Sequence, residues 1–147
     1  MKVVPLRDEH AEAIVGWRYD PPYDVYDPAG DPDEVDLLRD PARRPGLRAV
    51  FEADALLGYF NFLRHGDEIH AGLALRPDLT GRGLGRAFVS AGLAYATREW
   101  APARFRLWVA AFNARAIRVY EQVGFRRVAG HCRVRDRVEF IEMGRDA

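Results

Sequence analysis

Residues Leu75–Val89 read LRPDLTGRGLGRAFV. Glycines alternate at Gly81, Gly83 and Gly85, just after a strand that Pro77 closes. Glycine lets a ligand approach the main chain closely. The start of a helix offers unpaired N–H groups and a partial positive charge. Together they suit an anion, most often a phosphate. The successive amides Gly81, Arg82, Gly83, Leu84, Gly85, Arg86 and Ala87 could cradle a pyrophosphate, with the Arg82 and Arg86 side chains adding charge. A glycine-rich turn for tight strand–helix packing is the alternative.

Two familiar phosphate loops are excluded. The pattern G-x-x-x-x-G-K-[ST] needs a lysine, and none is present in this stretch. The dinucleotide pattern G-x-G-x-x-G fails in both registers: its sixth position is Arg86 counted from Gly81, and Phe88 counted from Gly83.

Working outward, Glu68–Leu75 alternates strictly. Ile69, Ala71, Leu73 and Leu75 share one face, and Glu68, His70, Gly72 and Ala74 the other. Leu84–Arg98 carries a helical stripe at Leu84, Ala87, Phe88, Ala91 and Tyr95. Arg104–Ala110 is another strand. A helix from Asn113 to about Gly124 follows, then closing strands at Phe125–Ala129 and Val138–Met143. On the N-terminal side, Val3–Leu6 reads as a short strand and Asp8 as the cap of a helix turning Ala11, Ile14 and Val15 inward. Tyr19–Glu34 is a long Pro/Gly/Asp loop. A short helix over Glu34–Arg39 precedes strands at Leu47–Ala53 and Ala55–Leu63. This order predicts a single α/β domain over residues 1–147, with helices packed on a central sheet.

Composition bounds the function. The chain has 147 residues, formal net charge +0 and 30% charged residues. No global field draws it to nucleic acid or a membrane surface. Cys132 is alone, so no internal disulfide and no cysteine-based metal site is expected. Lys2 is the only lysine. No secretory signal or span is visible, so a cytoplasmic enzyme or binding domain is expected.

In VAAFNARAIRVYEQVGF, Val109–Phe125, the residues Asn113, Ala116, Ile117 and Tyr120 fall on one helix face. Taken alone, they could be a cap and a core tyrosine. With the glycine loop, they resemble the GNAT superfamily of acyl-CoA-dependent N-acetyltransferases. Its helix pattern N-x-x-A-x-x-x-Y-x-x-x-G-F is complete here at Asn113, Ala116, Tyr120, Gly124 and Phe125. Its loop pattern [QR]-x-x-G-x-[GA] matches at Gly83 and Gly85, with Thr80 in place of the usual Gln or Arg.

The resemblance implies a mixed, mostly antiparallel sheet of about six or seven strands, helices on both faces, and splayed fourth and fifth strands. It implies acetyl-CoA as cosubstrate and a primary amine as acceptor, with direct attack in a ternary complex and no metal. The amides of Arg82–Ala87 would bind the pyrophosphate. Backbone near Leu75 would pair with the pantetheine arm and supply an oxyanion donor. Asn113 would contact that arm or help orient it, and Tyr120 would protonate the leaving thiolate. Glu68 and His70 are the candidate bases, although alternation alone also leaves them as solvated strand-end residues. The loop bearing Tyr19, Asp20, Tyr23, Asp24, Tyr26 and Asp27 would receive a small or peptidic cationic amine. A homodimer is common among relatives, but no interface signal is present. A CoA-binding module without catalysis, or a nucleotide-binding regulatory domain, are the rival classes.

Overall fold

The computed structural model describes residues 1–147. Seven strands form one sheet in the order β1-β2-β3-β4-β5-β7-β6. They are β1 Lys2–Pro5, β2 Leu47–Glu52, β3 Ala55–His65, β4 Glu68–Leu75, β5 Arg104–Ala110, β6 Arg126–Arg135 and β7 Val138–Asp146. Four helices pack on it: α1 Asp8–Val15, α2 Pro32–Arg39, α3 Gly85–Trp100 and α4 Ala114–Gln122. Every neighbouring pair of strands is antiparallel except β4–β5. The mixed, mostly antiparallel α/β sheet expected from the sequence is therefore present.

Alternation divides the core between the two faces. Phe60, Phe62, Ile69, Ala71, Phe105, Leu107 and Val109 point toward α3 and α4, where they meet Phe88, Val89, Leu93 and Ile117. Tyr59, Ala49 and Leu47 point the other way, onto Ile14, Trp17 and Leu38 of the α1–α2 side. Burial of these apolar side chains is what holds each helix to its face. Gly92 marks the closest approach: a Cβ there would stand 2.2 Å from the Phe60 ring, so α3 can lie flat on β3 only with glycine at this position.

Three local readings need correction. Asp8 does not cap α1; it is its first residue, and the His10 imidazole accepts from the Arg7 N–H instead (3.0 Å). The Tyr19–Glu34 segment is not all loop. It contains two 3₁₀ turns, Tyr23–Tyr26 and Pro28–Gly30, and α2 already begins at Pro32, capped by the Asp31 carboxylate. The sixth strand runs well past Ala129, to Arg135. It is an edge strand with both faces largely exposed, so it lacks the apolar alternation that would have marked it.

Candidate active site

β4 and β5 run in parallel, yet pair over three residues only: Glu68 with Arg104, Ile69 with Phe105 and His70 with Arg106. Beyond His70 the strands separate, although β4 continues to Leu75 and β5 to Ala110. The gap opens into a cleft of about 360 Å³.

Hydrogen bonding shows which backbone groups face the gap. The Arg76 N–H donates to the Leu57 carbonyl, on the β3 side (2.7 Å). Strand alternation then turns the amide groups of Leu75 to the opposite side, into the gap. On the other lip, the Ala111 N–H donates to Glu139 of β7 (2.8 Å), so Ala110 faces inward. Both inward groups are met by the α1–α2 connection. The Tyr19 hydroxyl donates to the Leu75 carbonyl (2.5 Å), and the Ala110 N–H donates to the Tyr26 hydroxyl (3.1 Å). The Tyr19 backbone is itself held by the Asp27 carboxylate (2.7 Å).

At the cleft's mouth, Gly81 and Gly83 adopt positive φ, +73° and +79°, a conformation strained for residues with a Cβ. They lead into α3, whose first turn carries no capping side chain and no acid. Its N-terminal amides are thus open to an anion.

Tyr120 stands on α4, and burial raises its phenol above the ordinary value. Its ring packs edge-on to Phe125. No group of the chain hydrogen-bonds its hydroxyl, while no fully buried polar side-chain atom lacks a partner; the hydroxyl therefore keeps an opening to the cleft it lines. Asn113 caps α4 by accepting from the Ala116 N–H (3.1 Å) and donates to the Tyr26 hydroxyl (3.2 Å).

Leu75, Gly81, Gly83, Gly85, Arg86, Asn113, Tyr120, Tyr23 and Tyr26 thus come together around one cleft. Arg82, Leu84 and Ala87 lie in the loop and first helical turn without lining it; a backbone role asks no more of them. Asp24 is exposed outside the cleft. In a 3₁₀ turn, residues three apart share a face, so Tyr23 and Tyr26 turn inward together and Asp24 turns away.

Glu68 and His70 also lie outside. They occupy the closed end of β4, where β5 still pairs with it. Glu68 is engaged by Arg106 (3.5 Å) and Arg104 (3.7 Å), and the His70 ring lies tilted against His65, centroids 4.3 Å apart. Burial, with His65 adding to it, lowers the His70 imidazole below its ordinary value. Their shared strand face was read correctly; their distance from the opening depends on where the strands part. No Asp, Glu or His lines the cleft at all.

Two cleft residues escaped the sequence reading. Trp108 of β5 carries the Arg133 guanidinium over its ring (4.4 Å), and Arg115 of α4 lies over Tyr23 (4.6 Å). For Arg115 a signal existed: a cation in the first turn of a helix opposes the helix dipole.

The sequence matches the acetyltransferase (GNAT) family over residues 11–125. The chain belongs to the GNAT acetyltransferase family. GNAT acetyltransferases use acetyl-CoA as donor, so the chain is an acyltransferase by family. Solved GNAT structures superpose along nearly the whole chain. A spermidine N-acetyltransferase SpeG chimera from Vibrio cholerae and hSSAT has 17% identity, covers 99% of this chain and 96% of its own, and gives a TM-score of 0.75. The ribosomal-protein-S18-alanine N-acetyltransferase from Escherichia coli has 21% identity, with 99% and 92% covered and a TM-score of 0.71. The N-acetyltransferase PseH of Campylobacter jejuni, in complex with acetyl coenzyme A, has 18% identity, with 99% and 97% covered and a TM-score of 0.67. At such identities the likeness shows the GNAT fold. No curated protein sequence matches significantly. No helix is long and apolar enough to cross a membrane.

Proposed function

We propose that this GNAT chain transfers the acetyl group of acetyl-CoA to a primary amine of a small molecule or peptide, by direct attack with both substrates bound. The observation that carries this reading is the gap between β4 and β5. It presents inward-facing strand amides beside an uncapped helix start, and a buried tyrosine opens into it from the opposite wall.

The residues fit the donor. Gly81, Gly83 and the α3 amides of Gly85, Arg86 and Ala87 would hold the pyrophosphate, with Arg82 and Arg86 adding charge. The Leu75 N–H and C=O would pair with the extended pantetheine arm as a strand edge does. A backbone N–H of β4 near Leu75 would polarise the thioester carbonyl. Asn113, held by Ala116 and Tyr26, would contact the arm or orient it, since one side-chain N–H and one lone pair remain.

Tyr120 serves as acid for the departing thiolate. Burial keeps its proton on at neutral pH, as a general acid requires. Neither Glu68 nor His70 lines the cleft, so neither is assigned as base. With no carboxylate or imidazole on its walls, the acceptor amine reacts in its neutral form, and its proton leaves to solvent. The acceptor enters beside Tyr19, Tyr23 and Tyr26, where aromatic walls suit a cationic or peptidic amine before it loses that proton.

Thiol release from acetyl-CoA against a panel of amines and short peptides tests the reading. Turnover with one acceptor class, slowed in Tyr120→Phe, supports it. Tight acetyl-CoA binding without turnover on any acceptor would replace it with a non-catalytic CoA-binding module.

A further inference from the structure

The guanidinium groups of Arg86 and Arg115 line the cleft and form no salt bridge, and Arg82 in the glycine loop feels only the field of Asp78, which Arg76 already binds. Elsewhere Arg39 pairs with Glu12, Arg44 with Asp8, Arg76 with Asp78 and Arg106 with Glu142. Arg82 lies within the glycine run and Arg86 directly follows it. Arg115 reaches it from α4, a separate element. Its Nη1 lies 2.9 Å from where a Cβ on Gly81 would stand, so the guanidinium rests against bare loop backbone. On its other side it covers the Tyr23 ring at 4.6 Å. Arg115 therefore stands between the anion loop and the acceptor wall, held by nothing stronger than an exposed stack on a tyrosine. A charge-assisted bond from guanidinium to phosphate is the stronger contact.

We propose that Arg115 is a ligand of the donor's phosphates and that Tyr23 is its resting place in the free protein, so that acyl-CoA binding draws the guanidinium off Tyr23 and uncovers that ring for the acceptor. The proposal rests on the acetyl-CoA reading above. It adds a cation that neither glycine-loop spacing nor the helix pattern contains, and it couples the two substrates through one side chain.

The test compares two thioesters, acetyl-CoA and S-acetylpantetheine, which lacks the phosphates. In Arg115→Gln, the ratio of kcat/KM for acetyl-CoA to that for S-acetylpantetheine is expected to fall about tenfold, the size of one charge-assisted hydrogen bond. An unchanged ratio overturns the phosphate role, even if both rates drop. Arg115→Lys keeps the charge and should restore part of the ratio. For the resting place, Tyr23→Leu should tighten CoA binding about two- to fivefold in calorimetry, because a competing cation–π contact is gone. Unchanged or weaker binding overturns that half. Wild-type protein that binds no CoA would overturn the acetyl-CoA reading itself, and this is read before any variant is made.

Discussion

The Tyr19 hydroxyl donates a 2.5 Å hydrogen bond to the carbonyl of Leu75, the strand-edge group that a pantetheine amide would need. In the proposed complex the donor would compete with Tyr19 for this oxygen. Burial, with Glu34 adding to it, raises the Tyr19 phenol, so it remains a donor at any physiological pH. Tyr19→Phe leaves the ring in place and frees the carbonyl. It should tighten acetyl-CoA by about fivefold, the worth of a net 1 kcal/mol hydrogen bond. Equilibrium titration of both proteins checks this; equal affinities would show that the donor does not use the Leu75 oxygen.

Tyr120→Phe removes a proton donor and almost no volume. We expect kcat to fall by about 10²–10⁴-fold with little change in the acetyl-CoA KM, the usual range for general acid catalysis. Because burial holds the Tyr120 proton above the ordinary phenol range, the wild-type rate should show no alkaline decline from this group up to about pH 10. Rates measured with several thioesters sharpen the test. A mutant defect that shrinks as the thiol becomes a better leaving group marks an acid.

With no carboxylate or imidazole in the cleft, the acidic limb of the pH–rate profile should belong to the acceptor. It should move with the acceptor's own pKa when amines of different basicity are compared. Glu68→Gln and His70→Gln should leave that limb where it is. A limb that shifts in His70→Gln, and not with the amine, would restore His70 as the base.

Glu34 supplies a stability test. Burial raises its carboxyl above the ordinary 4.5, although the Tyr59 hydroxyl donates to it and opposes the shift. The folded state thus holds this proton more tightly than the unfolded chain. Its contribution is most favourable below the unfolded value and is lost as pH rises through the raised one. Glu34→Gln should therefore gain Tm relative to wild type near pH 7, with the difference closing below pH 4.5. Thermal melts at the two pH values decide it.

Much of this was legible in the chain. Strict alternation at Glu68–Leu75 gave β4 with its bounds, and the spacing from Asn113 to Phe125 gave α4 with Tyr120 on its inner face. β6 was cut short because an exposed edge strand carries arginines on both faces and no apolar stripe to read. The cleft's membership was harder. Glu68 and His70 lie off the cleft because of the point at which β4 and β5 part, a tertiary distance that no local pattern encodes. Tyr19 and Tyr26 were read as acceptor wall, and their bonds to Leu75 and Ala110 span 56 and 84 residues. Arg115 was hidden in a helix pattern whose other positions were being matched.

The three-pair junction of β4 and β5 also has a mechanical side. Strands β1–β4 and β5–β7 form two plates joined by a short spine at one end. From Ala71 to Leu75 the free arm of β4 is roughly 16 Å long at about 3.3 Å per residue. A small rotation at the spine is magnified along that arm, so three rungs cannot fix the width of the mouth. The α3 and α4 side chains Phe88, Val89, Leu93 and Ile117 help to fix it, because they share one core with Phe60 and Ile69 of the first plate and Phe105 and Leu107 of the second, and the Tyr19 and Tyr26 bonds to Leu75 and Ala110 tie the two lips to one loop. Trimming one of those side chains, well away from any reacting atom, would leave a cavity and loosen the hold on the width of the mouth.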